Sequence, residues 1–140
     1  MNTTNERITV QTTVRADVDK VWEFWTKPEH IMNWNFASDD WCCPIATNDL
    51  KKGGVFNWRM ESKDGSKGFD FTGKYEQILD KQLILYKMPD GRKVDIEFSE
   101  KGNGVQVLET FDAEGTNTDK QQRAGWQAIL GNFKRYTESE

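Results

Sequence analysis

From Phe56 to Phe111 the chain switches between apolar and polar residues with a period of two, and the switching stops only at turn-forming residues. Phe56, Trp58 and Met60 alternate with Asn57, Arg59 and Glu61 before Asp64-Gly65. Phe69, Phe71, Gly73 and Tyr75 alternate with Asp70, Thr72, Lys74 and Glu76 before Asp80-Lys81. Leu83–Met88 runs to Asp90-Gly91, and Val94, Ile96 and Phe98 alternate with Asp95, Glu97 and Ser99. Gly102-Asn103-Gly104 then leads to Val105, Val107, Glu109 and Phe111. Period two marks half-buried strands, and Asp-Gly and Asn-Gly pairs are hairpin turns. Strands joined this way predict an antiparallel meander with one apolar face, which something must cover.

The rest of the chain supplies the cover. Ile8, Val10, Thr12 and Val14 predict one more half-buried strand. Asp17 caps a short helix whose Val18, Val21, Trp22 and Trp25 fall on one face, and Pro28 opens a second short helix carrying Ile31, Met32 and Trp34. Residues 35–54 predict one irregular strand around Trp41–Thr47, ending at Gly53-Gly54. At Thr118-Asp119-Lys120-Gln121 the period changes behind a capping-box pattern. A helix of about 20 residues follows, with Gln122, Trp126, Ile129, Phe133 and Tyr136 on one stripe and Leu130 beside it. The pattern is α+β: a curved antiparallel sheet, two short helices and a long C-terminal helix laid across the concave face.

A length of 140 residues predicts a single domain, residues 1–140, with an ordered core over about 7–138. Six Trp, eight Phe and three Tyr mean that the core is built from rings more than from aliphatic side chains. The net charge of -4, with acids and bases interspersed, argues against nucleic acid and anionic membrane surfaces as partners. No apolar run approaches the roughly 18 residues of a membrane span. The N-terminus lacks a basic stretch followed by an apolar one, so no secretory signal is expected and the sequon Asn2-Thr3-Thr4 carries no glycan. The two cysteines, Cys42 and Cys43, are adjacent, which predicts two reduced thiols in a cytoplasmic protein.

Motifs spread over residues 7–138 resemble the START-like SRPBCC superfamily. Within it, the chain is similar to the C-terminal domain of the activator of the heat-shock-protein-90 ATPase. The motifs are Val21-Trp22 with Trp25, Pro28-Glu29 with Ile31 and Trp34, Asp40-Trp41, Gly53-Gly54-x-Phe56 and Gly68-Phe69-Asp70-Phe71-x-Gly73. The last is Gln122-Arg123-x-Gly125-Trp126-x-x-Ile129-Leu130-x-Asn132-Phe133. The resemblance implies a helix-grip fold, and often a cavity between sheet and helix that takes a lipid or another small apolar molecule. It leaves open a protein-interaction module related to the co-chaperone domain, and an enzyme of the cyclase or hydrolase kind.

The candidate site follows from the inward positions. Phe56, Trp58, Met60, Phe71, Ile96, Trp126, Ile129 and Phe133 form either a packed core or the wall of a pocket of about 300–1,000 Å³. Trp34 and Trp41 flank the irregular segment and are candidates for closing one mouth; Tyr86 is a candidate polar contact. Glu109 sits at an inward position, where an unpaired carboxylate costs several kcal/mol or takes up a proton. It is either paired, with Arg59, Arg123, Tyr86 or a Trp N–H, or turned outward by a register break, or the polar anchor of a pocket floor. His30 is expected at the surface, and Asp39-Asp40 as a solvated loop pair or cap. No Ser/His/Asp, Cys/His or metal-binding constellation stands out, so no cofactor, metal or catalytic residue is assigned. The expected partner is a small apolar molecule, with a protein partner as the alternative and a monomer or homodimer as the assembly.

Overall fold

In a computed structural model describing residues 6–140, seven strands, two short helices and one long helix follow in the order β1 Arg7–Val14, α1 Val18–Thr26, α2 Pro28–Ile31, β2 Trp41–Asn48, β3 Val55–Ser62, β4 Gly68–Leu79, β5 Leu83–Lys87, β6 Lys93–Lys101, β7 Gly104–Asp112 and α3 Asp119–Ser139. The sequon Asn2-Thr3-Thr4 lies outside these residues. The predicted α+β helix-grip architecture is the one observed.

All strand pairs are antiparallel, in the order β1-β7-β6-β5-β4-β3-β2. The meander accounts for every neighbour from β2 to β7, and the α1–α2 excursion carries the chain between the two outer strands, β1 and β2. Register breaks between Tyr75 and Gln77 and between Cys42 and Ile45 sharpen the twist that curls the sheet. The second break holds Pro44, whose missing N–H is tolerated at an edge or bulge.

The helix ends form as their sequences dictate. The Asp17 carboxylate accepts from the Lys20 N–H at 2.8 Å. The Thr118 hydroxyl accepts from the Gln121 N–H while the Gln121 side chain accepts from the Thr118 N–H, a reciprocal box. On α3, Leu130, Phe133 and Thr137 are buried, whereas Trp126 and Ile129 are only half-buried. The helix lies along β1 and donates to its backbone three times: Arg123 to the Thr9 carbonyl at 2.7 Å, Gln127 to Gln11 at 3.0 Å and Lys134 to Thr13 at 2.6 Å.

His30 departs from the surface position expected of it. Its ring stacks on Phe24 at 3.9 Å and its Nδ1 is 2.8 Å from the Tyr136 hydroxyl, so it joins α1, α2 and the last turns of α3. The reason is the tight turn between the short helices, which folds α2 back over Phe24. Asp39 and Asp40 are exposed, as expected of a loop pair, and Cys42 and Cys43 are free thiols.

Candidate functional site

A cavity of about 230 Å³, open on one side, lies between the concave face of the sheet and α3. Its wall is drawn from every layer of the fold. Trp58 and Met60 come from β3, Phe69 and Phe71 from β4, Tyr86 from β5 and Glu109 from β7. Gly125, Trp126 and Ile129 come from α3, Trp25 from α1, and Trp34, Asn35 and Ala37 from the segment after α2.

Packing explains the shape. Trp126 stacks on Phe111 at 4.0 Å, which holds its indole flat against β7. Trp58 and Phe71, opposite each other on β3 and β4, stand parallel within 3° and 5.6 Å apart. Tyr86 meets both edge-on, at 6.3 and 6.4 Å. Rings in contact this way hold one another in single rotamers, so the space they enclose persists instead of being filled by a swung side chain. Phe69 and Ala37 are exposed, so they belong to the rim.

Glu109 is the singular feature of this wall. Its residue is 6% exposed, and no basic residue is present in the lining. Burial alone pushes its carboxyl up to about 8, with no hydrogen bond acting the other way. The partners foreseen for it are engaged elsewhere. Arg59 pairs with Glu61 at 2.9 Å and with Asp70 at 3.7 Å, and Arg123 donates to Thr9. Tyr86 is close enough to feel the carboxylate's charge, and its own hydroxyl is held well above its ordinary range, mainly by burial. Hence the cavity is a largely apolar box whose wall holds a carboxyl and a phenol, neither hydrogen-bonded to protein among the described residues, and two lining residues with buried, unpartnered N–H groups, the Trp58 indole and the Asn35 amide.

Eight of the residues singled out from sequence stand around this cavity: Trp34, Trp58, Met60, Phe71, Tyr86, Glu109, Trp126 and Ile129. Four stand elsewhere, each for a packing reason. Phe56 stacks behind Trp58 at 4.2 Å and is fully buried. Ile96 lies opposite Glu109 in register but is sealed in the core. Phe133 packs under Trp25 and Trp34, 4.9 Å from each. Trp41 packs at 5.9 Å against the rim residue Phe69 and is not part of the lining, and Trp34 is part of the wall, its indole N–H donating to the Phe24 carbonyl at 3.0 Å.

The wall also holds Trp25, Asn35, Ala37, Phe69 and Gly125. Trp25 and Phe69 were legible as inward-facing but not as wall rather than core. Gly125 left a clear signal: glycine inside a helix costs about 1 kcal/mol against alanine, and a Cβ here would meet nothing within 4 Å. Behind Asn35, the Cys43 thiol is pushed up to about 11 by burial, which leaves it unreactive at neutral pH.

Among the described residues no cluster of three or more His, Cys, Asp or Glu side chains could hold a metal ion. Among the same residues no helix is long and apolar enough to cross a membrane.

Known proteins give the same architecture. Residues 15–138 match the family described as Activator of Hsp90 ATPase homolog 1-like protein. The solution structure of the AHSA1-like protein from Aeromonas hydrophila is 43% identical, with a TM-score of 0.90 over 96% of this chain and 93% of that one. A Cytophaga hutchinsonii protein is 50% identical, with a TM-score of 0.83 over 95% and 92%. A Nitrosomonas europaea protein shares the fold at 17% identity, with a TM-score of 0.81 over 95% and 94%. No curated protein matches the chain.

Proposed function

The chain belongs to the Activator of Hsp90 ATPase homolog 1-like family, and on that footing we propose that it binds a small hydrophobic or amphipathic molecule, without chemistry on it, in the cavity between the sheet and α3. The observation that carries this reading is the ring-lined cavity itself, about 230 Å³ and open at one side. That volume is below the usual 300–1,000 Å³ of drug-sized sites and above the roughly 150 Å³ of a cavity that takes benzene. It suits one or two rings, or a short branched chain. The rings supply dispersion and desolvation, and Met60, unbranched and polarizable, adapts to more than one shape. The free thiols suit a reducing compartment, so we place this binding in the cytoplasm.

The test is native mass spectrometry of protein purified without detergent, beside the variant Gly125→Leu. A leucine there grows into open space at the cavity wall. Wild type is expected to carry a released small molecule, or to bind added propylbenzene, and the variant to have lost that capacity while folding normally. Equal occupancy in both proteins overturns the reading. The same spectrum separates monomer from homodimer and reveals a retained protein partner.

A second reading has one observation in its favour. A carboxyl held protonated near neutral pH inside a cavity is also what a general acid requires. It predicts conversion of a bound ligand that stops in Glu109→Gln; unchanged ligand after prolonged incubation with wild type removes it.

A further inference from the structure

The electrostatics of the cavity narrow its ligand, given that the binding reading above holds. The lining contains one ionisable acid, Glu109, and no lysine, arginine or histidine. Arg59 is committed to Glu61 and Asp70, Arg123 to the Thr9 carbonyl, and Arg92, whose charge reaches Tyr86, to Asp90. Of the elements packed around Glu109, β1 and β6 place Val10 and Ile96 opposite it and α3 presents Trp126 and Ile129. The titratable group facing it is Tyr86 on β5. So none of the described residues offers this carboxylate a counter-charge.

The rings of the lining bear on the same question. Trp58, Phe71, Tyr86 and Trp126 touch in sequence, Trp58 to Tyr86 at 6.3 Å, Tyr86 to Phe71 at 6.4 Å and Phe71 to Trp126 at 6.2 Å. Aromatic faces bear negative partial charge and attract cations, most strongly when water is excluded. An anionic ligand meets repulsion from the rings and, wherever Glu109 is ionised, from the acid as well. A neutral alcohol satisfies the acid but leaves the ring faces without a cation. A protonated amine satisfies both, through a charge-assisted hydrogen bond and cation–π contact.

We infer that the cavity is built for a small amine that enters protonated, its ammonium seated against the Glu109 carboxylate within the rings of Trp58, Phe71, Tyr86 and Trp126, and its apolar body in the remaining volume. One consequence distinguishes this ligand from any other. The empty site holds Glu109 protonated up to about 8, so an arriving ammonium must displace that proton.

The experiment is titration calorimetry with three probes of one shape: 2-phenylethylammonium, 2-phenylethanol and propylbenzene. Each is run at pH 7 in buffers of different ionisation enthalpy. The ammonium is expected to bind at least about tenfold tighter than propylbenzene and to release about 0.9 proton at pH 7, since a group titrating at about 8 is mostly protonated there. Its affinity is expected to rise about tenfold from pH 7 to pH 9. In Glu109→Gln the proton release and the preference both disappear, while propylbenzene binds as before, which shows that the cavity is still formed. Tighter binding of the alcohol or of propylbenzene by wild type, or ammonium binding without proton release, overturns the inference and leaves the cavity reading standing. Failure of all three probes on folded wild type overturns both.

Discussion

Glu109 lies where alternation along β7 puts it, between Val107 and Phe111 on the inward face, and that position was legible in the sequence. Its lack of a partner was not, because pairing depends on where long side chains from other strands end up, and Arg59 and Arg123 both turn elsewhere. The folded protein therefore holds the Glu109 proton far more tightly than the unfolded chain, whose carboxyl titrates at about 4.3. The stability this contributes is fully present below about pH 4 and is lost as pH rises toward about 8. The loss runs at about 1.4 kcal/mol per pH unit. Urea unfolding at pH 5 and pH 8 should find wild type losing a few kcal/mol relative to Glu109→Gln; parallel pH profiles would mean that the carboxyl is already paired. Gly73 is the second telling residue. A Cβ there stands 2.5 Å from the buried Phe56 ring and 3.2 Å from Tyr86. Gly73→Ala is expected to cost about 1–3 kcal/mol by urea unfolding, and a neutral result would show that the Phe56 ring has room to move.

Strands and helices were readable because each announces itself locally, by period, turn residues or cap. The loop from Asn33 to Asp40 was not, since it has no period and is shaped by what it crosses. It nonetheless supplies Trp34, Asn35 and Ala37 to the cavity wall. Helix α3 illustrates both sides. Its start is encoded in the Thr118–Gln121 box, and Thr118→Ala should cost about 1 kcal/mol in chemical unfolding. Its glycine at 125 is a local weakness with no packing reason behind it. Gly125→Ala should raise stability by up to about 1 kcal/mol, measured the same way; a loss instead would mean that the wall backbone needs glycine's freedom.

The buried apolar residues among those described form one continuous cluster running from Ile8 on β1 through Trp22 and Trp34 to Phe133 on α3. A single cluster spanning both layers predicts one cooperative transition, with tryptophan fluorescence and far-ultraviolet circular dichroism giving coincident melting curves. Separate midpoints would show α3 leaving the sheet before the strands part. The overall grip was legible in the sequence because a meander with one apolar face has to be covered. The fit of the cover was not, because whether rings fill or frame a space is decided by packing among distant residues. The same helix has a second consequence, carried by the donors that Arg123, Gln127 and Lys134 extend to the carbonyls of Thr9, Gln11 and Thr13. β1 is an outer strand, and those oxygens are the ones a foreign strand would use to add itself to the sheet. With α3 in place the row is occupied; a chain clipped ahead of Asp119 bares it, and such a fragment becomes a seed for strand-by-strand polymerisation.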